Sequence, residues 1–262
     1  MALVMSPGNQ KDKPVKISVV TVCRNCASTI ERTLASVATQ DWPEVEHIVI
    51  DGASTDGTQR IVAEHGAHVA RFVSERDKGI YDAMNKGIGL ATGDVVAILN
   101  ADDHYVDCGS LRSVAERFDH SVDAVLGDVA FFRPAAPGRF VRRYDSSRFK
   151  PSLIGWGWMP AHPGMFVRRQ VYDRFGTYRT DFHIAADFEF VARAFSSDAT
   201  RYLHLRRIVV AMQLGGVSTQ GLGSMLKINS EIVRACRLNG IETNQLKLMA
   251  KYLWKLKEYG AR

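Results

Sequence analysis

The stretch that most constrains the fold runs from Ser74 to Asp103, SERDKGIYDAMNKGIGLATGDVVAILNADD. It opens as an acidic, glycine-containing loop, passes through a segment of helical pattern, turns at Gly93 and enters the apolar run Val95–Leu99. A short continuous apolar run bounded by turn residues predicts a strand buried on both faces, as in a parallel sheet. This one stops on two adjacent carboxylates, Asp102 and Asp103. In an open α/β sheet, ligands bind in the crevice outside the carboxyl ends of the strands. The paired acids are therefore expected at a binding site.

The preceding segments supply the sheet around that strand. Val15–Val22 is a β-branched run that predicts a first buried strand. Ser28-Thr29-Ile30-Glu31 has the pattern of a capping box, and Ile30, Leu34 and Val37 follow at helical spacing until Trp42-Pro43 ends the helix. Val45–Ile50 predicts a second strand that stops at Asp51-Gly52. A helix capped by Ser54 or Asp56 should then run to about His65, followed by a third strand at Val69–Val73. Strand and helix in alternation predict the crossovers of a doubly wound sheet. Leu111–Phe118 is expected as a helix and Asp123–Leu126 as a fifth strand.

Beyond this point the pattern changes. Phe131–Tyr144, with Pro134, Pro137 and Gly138 between two β-rich arms, predicts a hairpin with a broad loop. Pro151–Pro160 reads as a loop carrying Trp156 and Trp158. Met165–Val167 is a short strand, Arg169–Phe175 and Asp187–Phe195 are helices, and Tyr202–Leu205 and Ile208–Met212 are two short strands.

Charge is placed unevenly. Of the net +6, Leu222–Arg262 carries +5, with eight Lys/Arg against three Glu. The basic character belongs to the tail, which argues against a nucleic-acid-binding core, whose basic surface would spread over the fold. In Asn244–Tyr259, Leu246, Met249, Leu253 and Leu256 share one helical face, with Lys247, Lys251 and Lys255 on another. That pattern suits a helix lying on a membrane surface and equally a helix packed on its own domain with lysines in solvent. No run approaches the ~18 apolar residues of a membrane span, and no targeting segment is visible. The expected location is cytoplasmic, with peripheral contact to the inner face of the plasma membrane if the tail binds it. Cys23-Arg24-Asn25-Cys26 fits C-x-x-C, but no second pair accompanies it, and reduced thiols are the simpler reading.

Several residues point to chemistry. Asp51 ends a strand before a glycine, where an acid can hold a ribose; Asp-Gly is also a common turn. Two adjacent carboxylates such as Asp102 and Asp103 repel each other, and Mg²⁺ or Mn²⁺, which prefer oxygen ligands, would relieve that repulsion. A solvated acidic loop is the other reading. The glycine-rich dinucleotide fingerprint is missing after the first strand, and no P-loop occurs, so nicotinamide and P-loop chemistry are not expected.

Four ordered motifs, VTVCRN, VIDGASTDGT, SERDKGIYDAMNKGIGLATGD and ILNADD, resemble the family-2 inverting glycosyltransferases of the GT-A fold. The resemblance spans roughly Lys16 to Gly216 and looks closest to bacterial members that build polysaccharides or glycolipids. It implies an α/β, Rossmann-like, mainly parallel mixed sheet flanked by helices, with a small C-terminal helical extension. A disordered leader over 1–14 would precede a catalytic domain over 15–221, with a donor half to about 128 and an acceptor half from 129. A basic helical tail over 222–262 would follow. It further implies transfer of a sugar, with inversion, from a nucleotide donor (UDP-linked in the closest pattern) to a hydroxyl of a saccharide or lipid-linked acceptor, assisted by Mn²⁺ or Mg²⁺.

By the same resemblance, Asp51 matches the acid that contacts uracil or ribose, and Thr21, Val22 and Asn25 border the base. The family's proline before the Thr21 position is absent here. Asp77, Tyr81 and Asp82 belong to the loop lining the nucleotide-sugar cleft. Asp103 matches the metal-ligating acid, Asp102 its neighbour nearer the ribose and phosphates, and Asn100 stands where some relatives carry a third acid. Asp187 matches the base that takes the acceptor proton, with Glu189 as its rival; a helix N-cap is its plainer role. His162 is placed to contact phosphate or acceptor, or to anchor its loop. Trp158 and Trp156 would stack on a sugar or pack in the core, and Gly215-Gly216-Val217-Ser218 resembles a mobile loop that closes on the donor. Two rival functions remain. Nucleotidyltransferases use related sheets but carry a glycine-rich, basic loop after the first strand, where this chain has Cys23–Cys26. A silent nucleotide-sugar-binding protein would not need Asp51, Asp102, Asp103 and Asp187 together. The sequence carries no signal for oligomeric state.

Overall fold

In the computed structural model, residues 14–197, 199–215 and 221–250 are described. The expected leader, the Gly216-Val217-Ser218 part of the closing loop, and Lys251, Leu253, Lys255 and Leu256 of the tail lie outside them.

Strand β1 (Ile17–Cys23) is buried along its whole length because it has a parallel strand on each side. β2 (Val45–Asp51) flanks it on one edge and β4 (Val95–Asn100) on the other, and β3 (Val69–Ser74) lies outside β2. Helices α1 (Ile30–Ala38), α2 (Thr58–His65) and α3 (Ile80–Leu90) make the connections between these strands. The predicted doubly wound half is present. The remaining elements are β5 (His104–Tyr105), α4 (Ser110–Ala115), β6 (Ala124–Arg133), β7 (Ala136–Tyr144), β8 (Met165–Arg168), α5 (Arg169–Phe175), α6 (Ala186–Phe195), β9 (Tyr202–Gln213) and α7 (Gly221–Leu238). The sheet runs β3-β2-β1-β4-β8-β6-β9-β5, with β7 paired to β6. β8 is antiparallel to both β4 and β6, so the sheet is mixed.

Several local expectations change, among them the cap of α2, which is Gly57 and neither Ser54 nor Asp56. The fifth strand and the first arm of the hairpin are one strand, β6, so the expected boundary near residue 128 falls inside it. The hairpin turns tightly at Pro134-Ala135, and Pro137 and Gly138 belong to β7. The two late strands are one, β9, which spends Arg206 and Arg207 as extra residues against β6. The capping box does not form: Thr29 is the N-cap of α1 without a side-chain capping bond, and its hydroxyl and the Thr29 and Ile30 N–H groups donate to Cys26 O instead.

The alternation of side chains builds a core on each face of the sheet. Val20, Val22, Ile48, Ile50, Val96 and Ile98 pack against Tyr81, Met84 and Ile88 of α3 and against α6 and α7. Ile17, Val19, Ala97 and Leu99 face α1 and α4 on the other side. α7 contributes Ile232, Ala235 and Cys236 to the first core, and Leu248 joins them. The described part of the tail is therefore packed on the domain. Its packed face is not the predicted one: Leu246 is 82% and Met249 50% exposed. Among the described residues β7 pairs only with β6, and it shows Phe140 and Val141 to solvent among Arg139, Arg142 and Arg143.

Glu46 closes the amino-terminal edge of the sheet. It accepts hydrogen bonds from Ser18 Oγ at 2.5 Å, Thr92 N at 2.8 Å and Thr92 Oγ1 at 2.7 Å, and pairs with Lys16 at 3.3 Å. Burial pushes its pKa up, but these donors outweigh it and hold it at about 2, below the ordinary 4.5. A depressed acid stabilises the fold fully above its unfolded value and loses that contribution as pH falls through the folded one. We expect a loss on the order of 3 kcal/mol between about pH 6 and about pH 2, read from urea midpoints. Glu46→Gln should flatten that dependence; an unchanged slope would remove Glu46 from the account.

Candidate active site

Three strand ends assemble one side of the site. The β1 register places Cys23 beside Asp51 and Val22 beside Asn100, so the loops after β1, β2 and β4 emerge together. Asp51 is buried and its carboxylate accepts from Ser54 N at 3.0 Å, Ser74 Oγ at 2.6 Å and Gln59 Nε2 at 3.3 Å, and from the Ser54 hydroxyl. Burial raises its pKa, yet the bonds from Ser54, Ser74 and Gln59 win and hold it below the usual carboxylate value. It is an ionised organiser of the 51–58 loop, and a nucleoside contact would replace one of these bonds. Asn25, in the left-handed region at φ 55°, joins the same loop by accepting Thr55 N at 2.9 Å, while its own N–H donates to Ser54 Oγ at 2.7 Å. Asp77 closes over this turn: a Cβ on Gly52 would meet Asp77 Oδ2 at 2.5 Å. Asp82 accepts Lys78 N at 2.9 Å, shaping the loop ahead of α3.

Thr21 and Val22 do not border the site through their side chains. Thr21 is buried and its Oγ1 lies 2.9 Å from His47 Nε2, whose Nδ1 lies 2.9 Å from His68 Nε2. Burial, then His68, push His47 down to about 3, so this pair is neutral. Val22 faces the opposite core, with Tyr81 and Met84. A period-two pattern gives the face of a residue but not which face looks into a cleft. Burial also raises the thiol pKa values of Cys23 and Cys26, which makes a reactive C-x-x-C pair unfavourable.

At the end of β4, Asp102 is partly exposed and Asp103 buried. Asp103 Oδ1 accepts Gln213 N at 3.1 Å, while its Oδ2 and Asn100 Oδ1 have no hydrogen-bond partner among the described residues. Burial and the neighbouring Asp102 charge push Asp103 well above the usual value, and burial raises Asp102 also. A buried carboxylate oxygen without a donor, beside a second acid, fits a divalent cation. Among the described residues no group of three or more His, Cys, Asp or Glu could hold one alone. Arg32, absent from the expected set, donates to Asp102 O at 3.3 Å and Gln213 Oε1 at 3.2 Å and lies 4.8 Å from the Phe132 ring. Its position in the first turn of a helix gave no signal.

The second side of the site is built around Asp187, the second residue of α6. Asp187 Oδ1 accepts Phe188 N at 2.8 Å and Tyr81 OH at 3.2 Å; Oδ2 accepts nothing from another described residue. Burial raises its pKa, and His162 pulls it back in part. His162 Nε2 has no partner among the described residues, and the ring lies 6.0 Å from Tyr178. The structure thus brings Tyr81, from the stretch Ser74–Asp103, onto Asp187, and Tyr178 lies beside both the Tyr81 and the His162 rings. Two expected residues are excluded. Glu189 is buried in a pair with Arg193 at 2.9 Å, which also donates to the carbonyls of Phe175, Gly176 and Thr177; it is committed to the fold and not available as a base. Trp158 is buried with its ring 6.4 Å from Tyr144, so it packs and does not present a face to a sugar. A cavity of about 410 Å³ lined by Asp123, Gln170, Arg174 and Arg201 lies at the amino ends of β6 and β9, away from all these residues.

Residues 18–197 match the family described as glycosyl transferase family 2. The chain belongs to that family. It is 33% identical over 212 residues to the PGL/p-HBAD biosynthesis glycosyltransferase of Mycobacterium tuberculosis (strain ATCC 25177 / H37Ra), covering 77% of this chain and 78% of the relative. The succinoglycan biosynthesis protein ExoO of Rhizobium meliloti (strain 1021) is 36% identical over 109 residues, 41% of this chain and 31% of its own. Among solved structures, S. aureus TarS 1–349 matches with a TM-score of 0.61 and 20% identity over 84% of this chain, which spans 65% of that one. Mannosyltransferase PcManGT from Pyrobaculum calidifontis, in complex with GDP-Man and Mn²⁺, matches with a TM-score of 0.61 and 22% identity over 85% of this chain and 65% of its own. The fold of this glycosyltransferase is the expected GT-A type. No helix among its described residues is long and apolar enough to cross a membrane.

Removing Glu189 separates a structural acid from a base. Glu189→Ala should cost about 3 kcal/mol in urea unfolding, the low end for breaking a buried ion pair. Unchanged stability with lost turnover would return Glu189 to the reacting groups.

Proposed function

We propose that this glycosyltransferase moves a sugar from a nucleotide donor, UDP-linked, to a hydroxyl of a saccharide or lipid-linked acceptor, with inversion. The observation that carries the reading is the Tyr81–Asp187 contact, which joins the donor stretch to a partly buried carboxylate with one oxygen free. Asp187 Oδ2 takes the proton of the acceptor hydroxyl as that oxygen attacks the anomeric carbon. The bond from that carbon to the diphosphate breaks, and the nucleoside diphosphate leaves with the electron pair. One displacement inverts the centre. Asp103, with Asp102 beside it, would hold a divalent cation, which supplies charge neutralisation to the departing diphosphate. A surface-polysaccharide or glycolipid role draws support from relatives named for PGL/p-HBAD and succinoglycan biosynthesis. The donor class draws support from TarS solved with UDP-GlcNAc, at 19% identity. In this reading the exposed Leu246 and Met249, beside Lys247, are the part of the tail that meets a surface holding a lipid-linked acceptor.

Two measurements test the chemistry. UDP should raise the melting temperature more with Mn²⁺ than with EDTA, and equal shifts would remove the cation. Asp187→Asn should lower turnover by at least about 10²-fold, within the range of general base catalysis, while UDP affinity stays within about twofold. The base must be ionised to act, and its pKa is raised. The acid limb of the turnover profile should therefore lie above the ordinary aspartate range, and normal turnover of Asp187→Asn would sink the assignment.

A further inference from the structure

Glu231, in the middle of α7, lies beyond the residues matched by the family. It is 8% exposed. Its carboxylate accepts three consecutive main-chain N–H groups: Oε1 from His183 at 2.9 Å, and Oε2 from Ile184 and Ala185, each at 2.9 Å. Hydrogen bonds to an ionised acceptor are the strong kind, and three on one carboxylate fix a segment that has no regular structure of its own.

That segment is the entry to α6. Ala185 is the α6 N-cap and has no side chain able to cap it. Glu231 therefore takes, from a distant helix, the part of an N-terminal capping acid, and it stands where the helix dipole favours negative charge. Two residues on is Asp187. The main chain of Ile184 is held on both sides: its N–H by Glu231, and its carbonyl by Tyr81 OH at 2.7 Å. The same hydroxyl lies 3.2 Å from Asp187 Oδ1. A hydroxyl has one proton to donate, so the Ile184 carbonyl and Asp187 share it, and the position of that carbonyl sets how much Asp187 receives.

We propose that Glu231 is a positioning residue for sugar transfer: it clamps residues 183–185 so that Tyr81 and Asp187 keep their arrangement and Asp187 Oδ2 stays free for the acceptor proton. This rests on the reading of Asp187 as the base. The clamp makes α7 part of the catalytic unit through the main chain of residues 183–185. The groups facing Asp187 are His162, Tyr81 and Tyr178. Beside the clamp, Asp181 is neutralised by Arg179 and Arg234.

The test compares Glu231→Gln, Glu231→Ala and Asp187→Asn with the parent. Turnover is followed with whichever of UDP-N-acetylglucosamine, UDP-glucose or GDP-mannose the parent uses or hydrolyses fastest with Mn²⁺. Glu231→Gln keeps the volume but turns an amide toward at least one of the three N–H groups. We expect kcat to fall about tenfold in Glu231→Gln and about 10²-fold in Glu231→Ala, as for a misplacement on the order of 1 Å. The donor KM and the UDP-induced melting shift should stay within about twofold of the parent. Amide exchange at 183–185 should accelerate at least about tenfold in Glu231→Gln, with β1 and β4 unchanged. Parent-like exchange and kcat, or kcat and donor KM worsening together, would overturn the clamp. If Glu231→Ala does not fold, Glu231→Gln decides. Turnover by Asp187→Asn would instead overturn the base reading, whereas an inactive Asp187→Asn beside a parent-like Glu231→Gln fails the clamp alone.

Discussion

In a parallel sheet, an unbroken register fixes which residues come out side by side where neighbouring strands end. β1 keeps an unbroken register with β2 and with β4, so Cys23, Asp51 and Asn100 leave the sheet at one level. Everything on the donor side depends on this. The loop after β1 can reach the loop after β2 through Asn25, and the acids after β4 open beside them. The bulge between β2 and β3 falls at His47/Ile48, before the strand ends, and the register recovers to pair Asp51 with Ser74. That pairing lets the Ser74 hydroxyl reach Asp51.

The two sides of the site are not separate bodies. Tyr81 and Met84 from the donor stretch share one core with Phe190 of α6 and Ala235 of α7. β6 crosses the expected boundary without a break, pairing with β8 in its first half and β7 in its second. If Asp187 is the base, as proposed, a shared core of this kind would hold it at fixed reach from the other side of the site.

Much of this was legible in the residues. Apolar runs ending in acids located β2 and β4, and the helical spacing of Ile30, Leu34 and Val37 located α1, because both patterns report burial and burial is what the fold rewards. The ordered motifs carried the family. What stayed hidden was mostly pairing between distant residues. Nothing in the sequence joins Glu231 to the amides of 183–185, or Thr21 to His47. Glu189 is different, since an arginine four residues on is a readable ion pair that favours a structural acid. In the described part of the tail Leu248 is buried while Leu246 and Met249 are exposed, and spacing alone does not rank neighbouring apolar positions on one helix.

The edge of the sheet at β7 carries a consequence of its own. A strand with one side unpaired is a template on which a second copy of the chain could add its own strand and begin a fibre. With Phe140 and Val141 uncovered, this edge would be a hazard if it were neutral. Arg139 and Arg142 sit on it, with Arg142 over the rings of Phe131 and Tyr144, while Arg143 is paired with Asp128. Two such edges brought together would face each other as rows of like charge. The arginines act as gatekeepers, and colloidal behaviour at high protein concentration, more than catalysis, is the property they guard.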